Sequence, residues 1–179
     1  MKTFVINLPD RKDRMQRFNA NNPYLEYELF KAVEGYKVGY EKLLSQGFDT
    51  DHNWIDPILK TPLTKGEVGC FLSHWHLWNK CIEKNEPIIV LEDDAILTDK
   101  FDVEEISKLK YDFVYLGWKE MDKSKDINDD LVIPVYPYWT LAYMIRPEAA
   151  RVLVNDVIKC NIITVDEYLP TKMPEIKVA

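Results

Sequence analysis

Very little in this chain points to the common ways of holding a phosphate, a disulfide or a membrane. Cys70, Cys81 and Cys160 are an odd set with no Cys-x-x-Cys pair, which suits reduced thiols in a cytoplasm better than a disulfide framework. Cys70 and Cys81, if they share one helix, lie roughly 16 Å apart at about 1.5 Å of rise per residue and cannot be bridged. No G-x-G-x-x-G and no G-x-x-x-x-G-K-[ST] occurs, so the familiar backbone cradles for phosphate are missing. No Asn-x-Ser/Thr sequon is present, and no apolar run approaches the roughly 20 residues of a spanning helix. The opening MKTFVINL lacks the charged leader and long apolar core of a secretory signal. A soluble, cytoplasmic protein is expected. Basic residues are outnumbered, 23 against 30 acidic, for a net charge of -7, which argues against a nucleic-acid partner.

What is present is an alternation of apolar runs and amphipathic stretches. With 179 residues, 46% hydrophobic and 30% charged, the chain is expected to form one domain over residues 1–179, with 170–179 as a flexible tail. Residues 3–8 (TFVINL) are apolar and β-rich, as in a strand buried on both faces. Pro9 and Asp10 stop it. Asp10 is placed to cap a following helix, RKDRMQRF, on which Arg11 and Arg14 share a side. A short strand is expected within 27–35, and a short helix within 40–47 that Gly47 closes. Residues 48–61 read as an irregular loop of the kind that covers a site. Within it Trp54 either pins the loop to the core or stacks on a sugar or base.

Thr64 and Glu67 form a Thr-x-x-Glu capping box, which predicts a helix over 65–84. Val68, Phe71, Leu72, Trp75, Asn79 and Ile82 make its core stripe. Gly66, Gly69, Ser73 and His76 make a bare stripe, open to a neighbouring backbone or to a ligand. Strands at 88–91 and 112–118, a charged helix near 103–110, a polar surface loop at 119–130, two strands within 131–145 and a helix from Pro147 complete an α/β pattern. There is no internal repeat.

The most informative stretch is EPIIVLEDDAIL, residues 86–97, where an apolar strand ends in Glu92, Asp93 and Asp94. Like charges this close repel and raise one another's pKa unless water or a cation sits among them. Strand alternation places Glu92 and Asp94 on one side and Asp93 on the other. They stand at the carboxyl end of a parallel-type strand, where open α/β sheets bind ligands. Hard oxygen donors there suit Mg²⁺ or Mn²⁺ completed by water and phosphate oxygens. If the first and third strands are neighbours, Arg11, Arg14 and the three carboxylates flank one crevice. That arrangement suits a diphosphate. The bland alternative is a solvated acidic turn.

Several blocks in order, FVINLPDRKDR, LTKGEVGCFLSHWHLW, PIIVLEDDAIL, LAYMIRPEAARVL and ITVDEYL, resemble glycosyltransferase family 25, which holds lipooligosaccharide (lipopolysaccharide biosynthesis) and collagen galactosyltransferases. The resemblance covers roughly residues 3–169. It implies a GT-A-like, Rossmann-like α/β/α sandwich with a mostly parallel sheet. It also implies metal-assisted, inverting transfer of a sugar, galactose being the family's commonest, from a UDP-type donor to a saccharide or other hydroxyl acceptor. By that pattern Glu92-Asp93-Asp94 stands in for the DxD motif, with Asp94 and Glu92 toward Mn²⁺ or Mg²⁺ and Glu92 near the ribose. Arg11 and Arg14 meet the nucleotide. Asp166 falls in the late aspartate block and is the first choice of catalytic base, with Asp93 second. Thr164 replaces that block's usual proline, and Tyr138-Trp139-Thr140-Leu141 stands where relatives carry a glycine.

His74 is read as hydrogen-bonding a phosphate or carboxylate, or else as a satisfied core histidine. The Cys70–His74 pair, four apart, is too thin for a zinc site. Two rival functions stay open. One is a metal-dependent phosphohydrolase. The other is a non-catalytic relative that binds a sugar nucleotide or a partner protein.

Overall fold

Burial on both faces makes the first strand a central one. In β1 (Lys2–Asn7) every residue from Thr3 onward is buried. It runs parallel to β2 (Glu28–Lys31) on one side and to β3 (Ile88–Glu92) on the other. β7 (Pro137–Ile145) pairs antiparallel with β3, and β4 (Phe113–Glu120) pairs antiparallel with β7, giving the order β2-β1-β3-β7-β4. Four of the five strands therefore point the same way, as the α/β expectation requires. The computed structural model describes residues 1–50, 53–157 and 161–179. Asp51 and His52 of the expected covering loop, and the Cys160 thiol, lie outside the described residues.

Helices cover both faces. On one, α3 (Lys65–Lys84), α5 (Pro147–Val157) and α6 (Val165–Lys172) pack Phe71, Leu72, Trp78, Leu153 and Tyr168 against Phe4, Val90, Tyr143 and Ile145 of the sheet. On the other, Phe18 of α1 (Lys12–Asn21) and Ile106 of α4 (Val103–Lys108) pack against Val5, Ile89, Leu91 and Met144. A short α2 (Tyr40–Ser45) follows a 3₁₀ turn at Gly35–Lys37, and Gly47 closes it at φ +84°. The layers are Rossmann-like.

α3 begins where the capping box places it. The Glu67 amide donates to Thr64 Oγ1 at 3.2 Å, and the Thr64 amide donates to Glu67 Oε2 at 2.6 Å. Its buried face is broader than a single stripe, because α3 is covered by the sheet, α5, α6 and the 3₁₀ turn together. Leu77, Trp78, Cys81, Ser73 and His74 are all buried, while Trp75, Asn79 and Ile82 sit at the margin and His76 is exposed.

Three local expectations change. Asp10 does not cap α1: Arg11 occupies the N-cap with no side-chain cap bond. The 119–130 loop contains half of a small hairpin, β5 (Lys125–Asp126) with β6 (Val132–Ile133). The residues read as a tail lie along β4, the Ala179 amide donating to the Phe113 carbonyl at 3.1 Å and the Tyr115 amide to the Ala179 carbonyl at 2.9 Å.

The bare stripe of α3 is used for a backbone crossing. A Cβ on Gly69 would sit 2.4 Å from the Val33 carbonyl oxygen, and one on Gly35 would sit 1.7 Å from the Lys65 carbonyl oxygen. That crossing lets the Val33 amide donate to Ser73 Oγ at 2.8 Å, so the segment after β2 is stitched to α3. Gly69→Ala should therefore lower the urea stability by about 1–3 kcal/mol, the usual cost of overpacking a rigid site. Gly39→Ala, with nothing within 4 Å of its Cβ position, should stay within about 0.5 kcal/mol of the parent.

Candidate functional site

The carboxyl ends of β1 and β3, the segment after β2 and the first half of α3 enclose a cleft of about 170 Å³. Asn7, Arg14, Gly35, Cys70, His74, Glu92 and Asp93 line it. It lies where parallel sheets place ligands, because the strand ends present unpaired backbone and diverging loops there.

The charge arrangement answers why three carboxylates follow one another. Arg14 Nη2 lies 2.8 Å from Asp93 Oδ1 and 2.5 Å from Asp94 Oδ2, so one guanidinium from α1 bridges two of them. Asn7 Nδ2 donates to the other Asp93 oxygen at 2.5 Å and to the Arg11 carbonyl at 3.1 Å. The alternation argument fails beyond Glu92, because β3 ends there and residues 93–95 turn, the Ala95 amide donating to the Glu92 carbonyl at 3.1 Å. Asp93 and Asp94 thus share a partner, and Glu92 faces α3 instead. Burial pushes the Asp93 carboxyl up, partly offset by the Asn7 bond and by Arg14. Arg11 is turned away from the cleft onto Asp13, its Nη2 2.8 Å from Asp13 Oδ2.

On the α3 side, Glu92 Oε1 lies 3.4 Å from His74 Nε2. His74 is fully buried and its Nε2 has no hydrogen-bond partner, while Nδ1 meets the Tyr143 hydroxyl at 2.9 Å. Trp78 Nε1 donates to that same hydroxyl at 2.9 Å. Cys70 Sγ joins His74 and Glu92 in a group whose donor atoms lie within 4.8 Å of one another. Burial, reinforced by the negative charge of Glu92 and Asp166, pushes the Cys70 thiol well up and keeps it neutral.

Asp166 stands in the first turn of α6 and accepts a hydrogen bond from Thr140 Oγ1. Burial pushes its carboxyl up to about 6, the Thr140 bond opposing and the Glu92 charge adding to the rise. Thr140 reaches α6 through a bulge. From Tyr138 to Ala142 β7 takes four steps while β4, from Lys119 to Gly117, takes two. The extra residues break alternation, which would otherwise put Thr140 on the α1–α4 face with Ala142 and Met144. Trp139, inside this bulge, adopts φ +69°, and Lys119 Nζ lies 5.2 Å from its ring centre.

Of the residues singled out from sequence, Arg14, His74, Glu92 and Asp93 line one cleft, Asp94 joins them through Arg14, and Asp166 is close enough for Glu92 and His74 to act on its charge. Arg11 pairs with Asp13 and does not line the cleft, although the Asp93 charge acts on it. Asn7 and Trp78 are not singled out by the sequence, and Thr140 and Tyr143 receive no site role from it. The polar Asn7 at the end of an otherwise apolar strand was a readable signal; Thr140 depends on the bulge and left none.

The family model described as "Glycosyltransferase family 25 (LPS biosynthesis protein)" matches residues 1–133. Among curated proteins, the chain is 35% identical over 186 residues to Procollagen galactosyltransferase 1-B of Xenopus laevis, covering 94% of this chain and 30% of that protein. It is 33% identical over 181 residues to a glycosyltransferase 25 family member of Aedes aegypti, covering 93% and 30%. It is 35% identical over 185 residues to Inactive glycosyltransferase 25 family member 3 of Homo sapiens, covering 94% and 31%. The chain thus spans less than a third of the length of these relatives.

The raised Asp166 carboxyl carries a stability consequence with a defined sign. The folded chain holds this proton up to about pH 6, while an unfolded aspartate releases it near pH 3.9. Below both values the states bind alike. Stability then falls as the pH rises between them, and the full cost persists above, about 2–3 kcal/mol for a shift of roughly two units. Asp166→Asn, which keeps an acceptor for Thr140, should raise urea stability by about 1–3 kcal/mol at pH 7.5 and change it little at pH 4.

Proposed function

Because the chain belongs to glycosyltransferase family 25, we propose that its cleft binds a nucleotide-diphosphate sugar and passes the sugar to a hydroxyl acceptor. Galactose is the first candidate sugar, since the procollagen relatives are named for its transfer. UDP is the candidate nucleotide, and a saccharide is the first candidate acceptor.

The observation that carries this reading is an uncompensated charge. Glu92, Asp93, Asp94 and Asp166 converge around the cleft with Arg14 as the guanidinium that bridges the aspartates. A diphosphate cannot enter such a surplus of negative charge unaided, and a dication brought in with it reverses the local sign. The donor set fits a hard cation. Asp94 presents a half-exposed carboxylate at the rim, an oxygen ligand suited to Mn²⁺ or Mg²⁺ that keeps water and phosphate oxygens as its remaining ligands. When bound, that ion would neutralise charge building on the departing diphosphate. Glu92, turned toward His74, supports the cation from the opposite side or receives a sugar hydroxyl.

Asp166 is the first candidate for the general base. A carboxyl held near 6 is ionised at neutral pH yet basic enough to take a proton from an acceptor hydroxyl as it attacks. Asp93 is held by both Asn7 and Arg14, which makes it a support for the cleft more than a mobile base. Direct attack from one side with the diphosphate leaving from the other gives inversion at the sugar carbon.

A thermal-shift titration tests binding. UDP-galactose with Mn²⁺ should raise the melting temperature more than either alone, by the linkage of ligand binding to folding, and Asp94→Asn should remove the Mn²⁺-dependent part. Asp166→Asn should keep that shift but lower the transfer rate roughly 10²–10⁴-fold, the usual worth of a general base. In the parent protein kcat/KM should fall about tenfold per pH unit below about 6. Binding without transfer to any saccharide or procollagen acceptor would favour a non-catalytic member, a reading to which the human relative named inactive lends weight. Release of phosphate from simple monoesters would favour a phosphohydrolase.

A further inference from the structure

The buried row Trp78–Tyr143–His74 determines where the His74 proton sits. An indole nitrogen can only donate, so Trp78 Nε1–H, 2.9 Å from the Tyr143 oxygen, makes that hydroxyl an acceptor. The Tyr143 proton then needs an acceptor of its own. Among the described residues the remaining partner of this hydroxyl is His74 Nδ1, at 2.9 Å. Nδ1 must therefore be bare, and the neutral imidazole carries its proton on Nε2. The opposite tautomer would direct two donors at one oxygen and strand the Tyr143 proton in a core where Trp78, Tyr143 and His74 are all 0% exposed.

The Nε2–H so fixed is buried, makes no hydrogen bond among the described residues and lies 3.4 Å from Glu92 Oε1, both residues lining the cleft. A buried donor left unpaired is costly, so a ligand group is the natural acceptor. The neighbouring carboxylate selects what that group can be. Phosphoryl oxygen only accepts and is repelled by Glu92. A hydroxyl accepts from Nε2–H and donates to Glu92 at once.

The same reasoning removes a competing use of this corner. A metal held by Cys70, His74 and Glu92 would need a bare Nε2 and hence a proton on Nδ1, which the Tyr143 hydroxyl is not free to receive.

We propose that Trp78 and Tyr143 are positioning residues that fix His74 as an Nε2–H donor, and that this donor and the Glu92 carboxylate 3.4 Å away together receive a sugar hydroxyl of the ligand. The ligand half of this proposal rests on the sugar-nucleotide reading of the cleft; the tautomer half does not.

Long-range nitrogen–proton NMR of the full chain with ¹⁵N-labelled histidine, at about pH 8.5 where an ordinary imidazole of pKa about 6.5 is neutral, reads the tautomer directly. His74→Gln identifies the signal. A protonated Nε2 with a bare Nδ1 is expected, and Nδ1–H would overturn the proposal. Tyr143→Phe removes the group that forbids a proton on Nδ1 and should give a detectable Nδ1–H fraction that the parent lacks, with Nε2–H still favoured by Glu92. Trp78→Phe, which frees the Tyr143 hydroxyl to donate or accept, should do so too if the first variant fails to fold. A locked tautomer in a folded variant would also overturn the relay.

Calorimetric titration with UDP and with UDP-galactose, each with Mn²⁺, reads the ligand half. His74→Ala should weaken binding about 3- to 10-fold, the worth of one hydrogen bond, and His74→Gln, which restores an N–H, should recover most of it. A loss on both ligands, abolished with 2′- or 3′-deoxy-UDP, assigns a ribose hydroxyl; a loss confined to UDP-galactose assigns the hexose. An equal loss on pyrophosphate, or stabilisation by Zn²⁺ that needs both Cys70 and His74, overturns the hydroxyl. If the parent binds no nucleotide at all, the functional reading falls and takes the hydroxyl with it, while the NMR result still decides the relay.

Discussion

One guanidinium holds the functional end of this fold together. Arg14 leaves α1 and is shared between Asp93 and Asp94 in the turn after β3, so it joins the first strand–helix unit to the third strand where both open toward ligand. Asp93 is nearly buried, and a buried carboxylate without a partner would be driven to its neutral form. Arg14 and Asn7 supply that partnership. Asp93 and Asp94 are drawn to the α1 side, while Glu92, the last residue of β3, keeps the α3 side that Val90 also faces. A single run of acids is thereby sorted into two functions, one facing a guanidinium and the other facing an imidazole.

Much of this was legible in the residues. The doubly buried β1 and β3 and the capping box of α3 follow from local rules that the tertiary structure does not override, while the sequence leaves the pairing of β1 with β3 only as a condition. The acidic cluster, Arg14 and His74 were found because charge at the end of an apolar strand is hard to explain otherwise. The missed features share a different cause. Asp93 and Asp94 could not be placed by alternation, since the strand stops one residue before them. Thr140 reaches Asp166 only because two extra residues in β7 reverse the side it faces. Arg11 sits at the helix N-cap, where its backbone no longer follows the helical spacing that pairs it with Arg14. Each of these failures lies at an element boundary or a bulge, where side-chain direction is set by three-dimensional closure.

The two halves of α3 divide the labour between scaffold and site. Its Gly69 accepts the backbone that follows β2, and that crossing forms one wall of the cleft. Beyond Gly69 its bulk returns in Phe71 and Trp78, which anchor the core, and Trp78 completes the polar row to His74. The helix is therefore thin where ligand and backbone meet it and thick where it must hold a ring still. Only about 30% of the length of the procollagen relative of Xenopus laevis corresponds to this chain.

The bulge in β7 carries a longer-term consequence. Trp139 sits in a left-handed backbone conformation that asparagine or glycine adopts far more readily than an aromatic residue. Random substitution judged on thermal robustness alone would erode the indole from this position. Its presence marks a point where natural drift and laboratory stabilisation should pull the sequence in a direction opposite to whatever retains the ring beside Lys119.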